Sequence, residues 1–342
     1  MIKKPKYGLD FLAVGDVVTD AFIRLGKHEA EVSNGGSDHH PLLCMTYGSK
    51  IPFDDVTIIP AVGNSANAAV AAARLDLRVA FYSNVGADQV GKDIIRALHA
   101  HNISTEYVRI NEGKKSNYHY VLWYGADRTI LIKHEAYDYP WPRIGEQNKP
   151  EWIYLSSVGE SADHLHDSLV DYLVKNSDVS LAFQPGTFQM KLGAKKLARL
   201  YKATTVLACN LEEAQKISGV GTDSVAKLAQ SLHALGPKTV VITDGPKGSH
   251  ASDGASLWSM PIYPDPAPPY ERTGAGDAYT STFVAALAQG KDIPTAMAWG
   301  SINSMSVVQK IGAQEGLLSQ KEIEALMKTA PANFETTKRE LS

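Results

Sequence analysis

The run Thr273-Gly274-Ala275-Gly276-Asp277 places three small residues and one carboxylate at the start of Ala278 to Gln289, a stretch rich in Ala, Ser and Thr that reads as a helix. Small residues at a helix start leave main-chain N–H groups bare, and the helix dipole favours anions there. Gly274, Ala275 and Gly276 therefore offer a cradle for phosphate. A carboxylate in that cradle would repel the phosphate, so Asp277 is expected to act on the reacting group. Its expected role is to take the proton of a hydroxyl whose oxygen attacks a phosphoryl group. The positive helix end is expected to keep it ionised. Taken alone, the same string serves equally as a loop and an N-cap.

Asn210-Leu211-Glu212-Glu213 directly follows a short apolar run ending at Ala208. An Asn and a Glu three apart point the same way, and hard oxygens suit Mg²⁺ with its water shell. Asn210 could reach nucleotide phosphates and Glu213 a hydrated metal; the pair also fits a capping box. Thr243-Asp244-Gly245-Pro246-Lys247-Gly248 closes another apolar run, where a nucleotide could approach the backbone or the chain could simply turn. Near the start, Gly15-Asp16-Val17-Val18-Thr19-Asp20 and Gly63-Asn64-Ser65-Ala66-Asn67 supply acceptors and mixed donor/acceptors able to orient several sugar hydroxyls. Capping and turn roles are available to these residues too.

Something must hold these segments together. Phe11–Gly15, Val79–Tyr82, Trp152–Leu155, Val179–Phe183, Thr205–Ala208 and Val240–Thr243 are short and largely apolar, with helical patterns between most of them. That alternation predicts a parallel sheet covered by helices on both faces. Helices are expected at Ser65–Leu75, Asp88–His101, Asp223–Leu235 (capped by Thr222), Ala275–Gln289, Ile293–Gln309 and Gln320–Lys328. Lys27 to Pro60 lacks periodicity and reads as a long loop or irregular insertion. Tyr118–Trp123 and Thr129–Lys133 read as a hairpin that, paired with the insertion, could form a flap over a pocket. The end of the chain after the last helix is polar and expected to fray.

With 342 residues, 44% apolar and 21% charged residues, and a formal net charge of −3, the chain is long enough for a core and gives no sign of nucleic-acid binding. Cys44 and Cys209 lack zinc or disulfide spacing, no signal-peptide core or membrane span is evident, and a cytoplasmic setting is expected.

Taken in order, these segments resemble the ribokinase-like, or PfkB, carbohydrate kinase family across nearly the whole chain. Gly15 to Asp20 is similar to its first substrate loop, Gly63 to Asn67 to its substrate motif, and Asn84-Val85-Gly86-Ala87-Asp88 with Gly91 to a further family turn. Asn210 to Glu213 is similar to its Asn-x-x-Glu, Thr243 to Gly248 to its nucleotide loop, and Thr273 to Asp277 to its Thr-Gly-Ala-Gly-Asp signature.

The resemblance implies a three-layer α/β/α sandwich over residues 7–330, with a mainly parallel sheet, a β-sheet lid from about 18–60 and 105–135, and a polar tail at 331–342. It implies transfer of the ATP γ-phosphoryl group to a sugar hydroxyl, with Asp277 as base and Gly274, Ala275 and Gly276 as anion hole. Asp16, Asp20, Gly63, Asn64 and Asn67 would meet the substrate. Asn210, Thr243, Asp244, Gly245, Gly248, Thr273 and Gly276 would meet the nucleotide, and Asn210 with Glu213 would organise Mg²⁺. A homodimer formed through the lid is also implied.

The departures are specific. Glu271-Arg272 replaces the usual Asp-Thr, which weighs against a monovalent-cation site. Val62-Gly63 replaces a glycine pair, and Val18 replaces the ribokinase-type Asn. Asn34, Asp38 or His39 could reach the pocket from the insertion, and Asp38-His39-His40 is a weak candidate metal site. A nucleoside kinase of the same family, or a non-catalytic sensor on the same fold, are the competing readings. A dehydrogenase is disfavoured because no Gly-x-Gly-x-x-Gly follows the first strand.

Overall fold

The computed structural model describes residues 8–33, 41–125, 127–270 and 272–341. Its first half contains β1 (Leu9–Val14), β2 (Val18–Leu25), β3 (Glu31–Ser33), β4 (Leu42–Cys44), β5 (Phe53–Val62), α1 (Asn64–Arg74), β6 (Val79–Gly86), α2 (Gln89–Ala100), β7 (Val108–Asn111), β8 (Asn117–Tyr124) and β9 (Asp127–Leu131). Next come β10 (Pro150–Leu155), α3 (Asp163–Lys175), β11 (Ser180–Phe183), α4 (Thr187–Lys196), α5 (Ala198–Ala203), β12 (Val206–Asn210), α6 (Leu211–Ser218), α7 (Val225–His233) and β13 (Thr239–Thr243). The chain ends with β14 (Ser249–Ser252), β15 (Ser256–Met260), α8 (Ala275–Ala288), α9 (Ile293–Val307), α10 (Gln320–Lys328) and β16 (Thr337–Glu340).

The main sheet runs β16-β15-β14-β13-β12-β11-β10-β1-β6-β7 among the described residues. From β13 to β7 every neighbouring pair is parallel, and β14, β15 and β16 continue the sheet antiparallel. Strands such as Phe11-Leu12-Ala13-Val14 are apolar at every position because both faces are covered. One face packs on α1, α8 and α9, through Phe11, Ala13, Phe283 and Trp299. The other packs on the helices that contribute Leu165, Leu200 and Leu228. This is the α/β sandwich expected. Ala and Ser fill α1 and α8, so these helices sit close to the sheet and carry their first turns to the carboxyl ends of its strands.

A second sheet, ordered β5-β2-β8-β9, forms the lid. β2 pairs antiparallel with β5 and parallel with β8, and β8 with β9 makes the expected hairpin. The stretch read as a loop or irregular insertion is corrected here: its end belongs to the ten-residue strand β5, and within it β3 pairs with β4. The alternation of Val56 and Ile58 with polar residues on an outer lid strand carries little burial contrast, so periodicity concealed it. Asn34, Asp38, His39 and His40 lie outside the described residues. The lid also starts later in its second segment than 105, since β7 pairs with β6 in the main sheet. α7 is preceded by Ser224, whose N–H is accepted by the Thr222 hydroxyl, so Thr222 shapes the turn before the helix instead of capping it.

The polar tail is also corrected. Residues 337–340 pair with β15 and extend the main sheet, anchored by Phe334, which is 7% exposed and meets the Tyr263 ring edge-on at 4.9 Å. Main-chain pairing at a sheet edge is indifferent to side-chain polarity, which is why composition suggested fraying. Phe334→Ala is expected to cost about 3 kcal/mol of unfolding free energy in urea titration; a loss below about 1 kcal/mol would mean that the tail is not docked.

Candidate active site

Asp277 occupies the first turn of α8, at the carboxyl end of the sheet. It lines a cavity of about 260 Å³ with Asn64, Gln184, Asn210, Glu213, Thr243, Arg272, Gly274, Ala275, Gly276 and Thr280. Protein atoms surround the carboxyl closely, and three side-chain amides hold it. Asn64 Nδ2 donates to Oδ1 at 2.9 Å, Gln184 Nε2 to Oδ1 at 3.0 Å, and Asn67 Nδ2 to Oδ2 at 2.9 Å.

The amides are themselves oriented. Gln314 Nε2 donates to Asn67 Oδ1 at 3.0 Å and to the Ala61 carbonyl at 2.7 Å, and the Tyr154 hydroxyl donates to Gln184 Oε1 at 2.5 Å. With the Asn67 and Gln184 amide oxygens occupied, the NH₂ groups of these two side chains must face the carboxylate. Burial pushes the Asp277 pKa above the ordinary carboxylate range, opposed in turn by the donors from Asn67, Gln184 and Asn64. The sequence reading credited the helix end with keeping this group ionised. It left out both burial and the amides. Asn64 and Asn67, expected to meet the substrate, both donate to the Asp277 carboxyl.

Gly274 caps α8 without a side chain, at φ 76°. A Cβ there would lie 2.2 Å from the Ala313 Cβ, so the loop requires glycine on both counts. A Cβ on Gly276 would meet nothing within 4 Å, leaving that approach open. Ala275 and Gly276 border both the Asp277 cavity and a second one of about 410 Å³, together with Thr243 and Arg272. The second cavity is otherwise lined by Gly245, Gly248, Tyr263 and Tyr279, among others. Gly248 has φ 91° and its Cα faces the Met260 carbonyl so closely that a Cβ would lie 2.1 Å away. Asp244 faces Lys247 at 3.6 Å, and neither Asp244 nor Thr273 is among the residues lining the two cavities. Arg272 lines both cavities.

Asn210 and Glu213 form the capping box: Glu213 N donates to Asn210 Oδ1 at 2.8 Å, and Asn210 N to Glu213 Oε2 at 2.9 Å. Burial raises the Glu213 pKa, the Asn210 amide offsets part of this, and the charge of Asp277 adds to it. Two carboxylates facing one cavity suit a hydrated divalent cation between them.

Asp16 lies at the end of β1, and Asp20 is on lid strand β2, in a ladder pair with His119. Asp16 is 6% exposed, 3.1 Å from His134 Nδ1, and accepts a hydrogen bond from the Tyr139 hydroxyl. Gly63 precedes α1 beside the Asp16 carbonyl. Gln184, Tyr154, Gln314, His119 and His134 escaped the sequence reading. Gln184 alone left a signal, since it directly follows the predicted strand Val179–Phe183, where ligands gather. A further cavity of about 620 Å³, between β5, α2 and residues 309–315, contains none of the predicted site residues.

Residues 54–320 match the model of the pfkB family carbohydrate kinases. The chain belongs to that family and is a phosphotransferase with an alcohol group as acceptor. It is 28% identical over 275 residues to the Bacillus subtilis ribokinase, covering 78% of this chain and 87% of the relative. It is 27% identical over 307 residues to a Bacillus cereus 5-dehydro-2-deoxygluconokinase, covering 78% and 86%. The fold matches that of Arabidopsis thaliana ribokinase complexed with ribose and ATP, with TM-score 0.77, 22% identity, and 94% and 99% of the two chains covered. Among the described residues no helix is long and apolar enough to cross a membrane.

Gly274→Ala combines a disfavoured backbone angle with a clash, and is expected to lower stability by about 2–4 kcal/mol. Thermal unfolding checks this; an unchanged midpoint would contradict the close approach to Ala313.

Proposed function

We propose that the chain phosphorylates a hydroxyl of a sugar or sugar-like molecule with ATP, using Asp277 as general base. The observation that carries this reading is the half-buried Asp277 carboxylate, held by three amides beside the open first turn of α8. The nucleotide lies in the cavity at Thr243, Gly245 and Gly248, with its phosphates reaching past Arg272 to the amides of Ala275 and Gly276. The glycine approach and the continuity of the two cavities support this placement. Mg²⁺ fits against Glu213 and, when bound, neutralises charge on the phosphates.

Asp277 takes the proton from the substrate O–H. The freed oxygen forms a bond to the γ-phosphorus, the bond from that phosphorus to the bridging oxygen breaks, and ADP leaves with the bridging oxygen and its electrons. Burial favours this chemistry, because a carboxylate with a raised pKa is a stronger base. The main-chain amides of Ala275 and Gly276 are already placed where charge collects on the transferring group.

A homodimer formed through the lid accords with the exposed Val56, Ile58, Ile130 and Leu131 on β5 and β9. The two relatives named above act by their names on ribose and on a dehydro-deoxygluconate.

Asp277→Asn is expected to retain ATP binding by calorimetry and to lower turnover by about 10²–10⁴-fold, measured as ADP release over a panel of sugars and nucleosides. Unchanged turnover would remove Asp277 from the chemistry.

A further inference from the structure

The cavity of about 620 Å³ at the root of the lid shares no lining residue with the two cavities around the first turn of α8. One of its walls is lid strand β5, through Thr57, Ile59 and Pro60. The remaining walls belong to the body: Arg74 on α1, Ala97 and His101 at the end of α2, Tyr270, and the segment that follows α9. The volume is that of a small-molecule site.

Two kinds of surface meet there. Ile59, Pro60, Ala97 and Ile311 are apolar, and the Tyr270 ring, half exposed and edge-on to Trp123 at 5.6 Å, adds an aromatic one. Arg74, His101 and Lys310 bring three basic groups from three separate elements, whereas Glu315, which is exposed, is the one acidic residue among those lining the cavity. Each basic residue stands at or just past the C-terminal end of a helix, where positive charge is favoured. The fold adds that three such ends open on one cavity.

These groups are not spent on carboxylates. Arg74 Nη1 donates to the main-chain carbonyls of Glu315, at 3.4 Å, and Leu317, which seats the guanidinium in the wall. Among the described residues none of the three forms an ion pair with a carboxylate. Glu322 feels the charge of Arg74 only as the smallest influence on its pKa, and Asp93, one turn before Ala97, is held by Arg96 at 2.9 Å. Burial, and then the charge of Arg74, push the His101 pKa below the ordinary imidazole value, so the two basic groups work against each other as they stand.

We propose that this cavity is a second ligand site, separate from the catalytic one, for a small organic anion built on an apolar ring, and that its occupant slows turnover by fastening the lid strand to the body.

The ligand class follows from the walls. An oxygen of a phosphate or carboxylate accepts from guanidinium, ammonium and imidazolium alike, and it relieves the repulsion between Arg74 and His101. A ring covers Ile59, Pro60 and Ile311 and packs on Tyr270. A neutral sugar satisfies neither demand, and an inorganic anion leaves the apolar walls uncovered.

The effect follows from where the walls belong. β5 is part of the lid sheet, while Arg74, His101 and Lys310 are on the body, so a ligand touching both ties one to the other. Gln314, which also lines the cavity, already spans this joint, donating to the Ala61 carbonyl in β5 at 2.7 Å and to Asn67 Oδ1 at 3.0 Å. Lid movement sets the turnover of many enzymes that close over their substrates.

The test saturates wild-type enzyme with Mg²⁺ and a non-hydrolysable ATP analogue, then measures binding by calorimetry for 1-naphthyl phosphate, 1-naphthoate, neutral 1-naphthol, cationic 1-naphthylmethylamine and inorganic phosphate. At least one of the two acids is expected to bind about tenfold or more tighter than the neutral ring, the cationic ring and phosphate alone; which acid binds better tells phosphate from carboxylate. Arg74→Gln and, as a second variant in case the first folds poorly, Lys310→Glu should each weaken that binding about tenfold. In steady-state assays with Mg-ATP and the acceptor that turns over best, the saturating acid should lower wild-type kcat about twofold or more. Failure of both acids to bind, a neutral ring that binds as tightly, binding indifferent to both variants, or a kcat unchanged or raised at saturation would overturn the proposal.

Discussion

A carboxylate closely surrounded by protein at the wall of a cavity and held by three neutral amides is the interaction on which the proposed site depends. Burial alone would drive Asp277 toward its protonated, inert form. Hydrogen bonds alone, from groups in water, would leave it an ordinary weak base. Together they raise the pKa of the carboxyl while holding it at one place, as the proposed role of Asp277 as base requires. The cost of desolvating the group is offset by amide donors, two of which, Gln184 and Asn67, have their own oxygens already accepting from Tyr154 and Gln314. The orientation is thus fixed before any ligand arrives, which is what electrostatic preorganisation requires.

The fold supplies the amides from separate places. Asn64 and Asn67 lie on the first turn of α1, Gln184 at the end of β11, Gln314 in the segment after α9, and Asp277 at the start of α8. Parallel strand order brings all of them to the carboxyl edge of one sheet. The small side chains of α1 and α8 matter for the same reason. They let the two helices pack closely enough for amides on one to reach the carboxylate on the other.

Much of this was legible in the sequence because it is local. Short apolar runs report strands buried on both faces, and a glycine-rich turn followed by a small-residue helix reports an anion cradle. The strands from Phe11 to Thr243 and the helix after Asp277 followed directly. Pairings between distant segments left no such trace. β5 carries no strong alternation because it lies on an exposed lid strand, and β16 is polar because its bonds are made by the main chain. Asn64 and Asn67 stood out as polar groups at a helix start, but their partner lies 210 or more residues away in the chain, so their hydrogen bonds to Asp277 could not be read locally. His119 and His134 were invisible for the same reason: a histidine acquires meaning from the carboxylate opposite it.

The most direct test of the central claim is the pH dependence of the phosphoryl-transfer step, measured by quenched-flow single turnover with wild-type enzyme and Asn64→Ala. Since the ionised form is the active one, the rate must fall as pH drops through the pKa of Asp277. The account predicts an acid limb above the ordinary aspartate value of about 4, moved further upward in the variant because one donor to the carboxylate has gone. A limb at the ordinary position, or one that does not move when the Asn64 amide is removed, would contradict it.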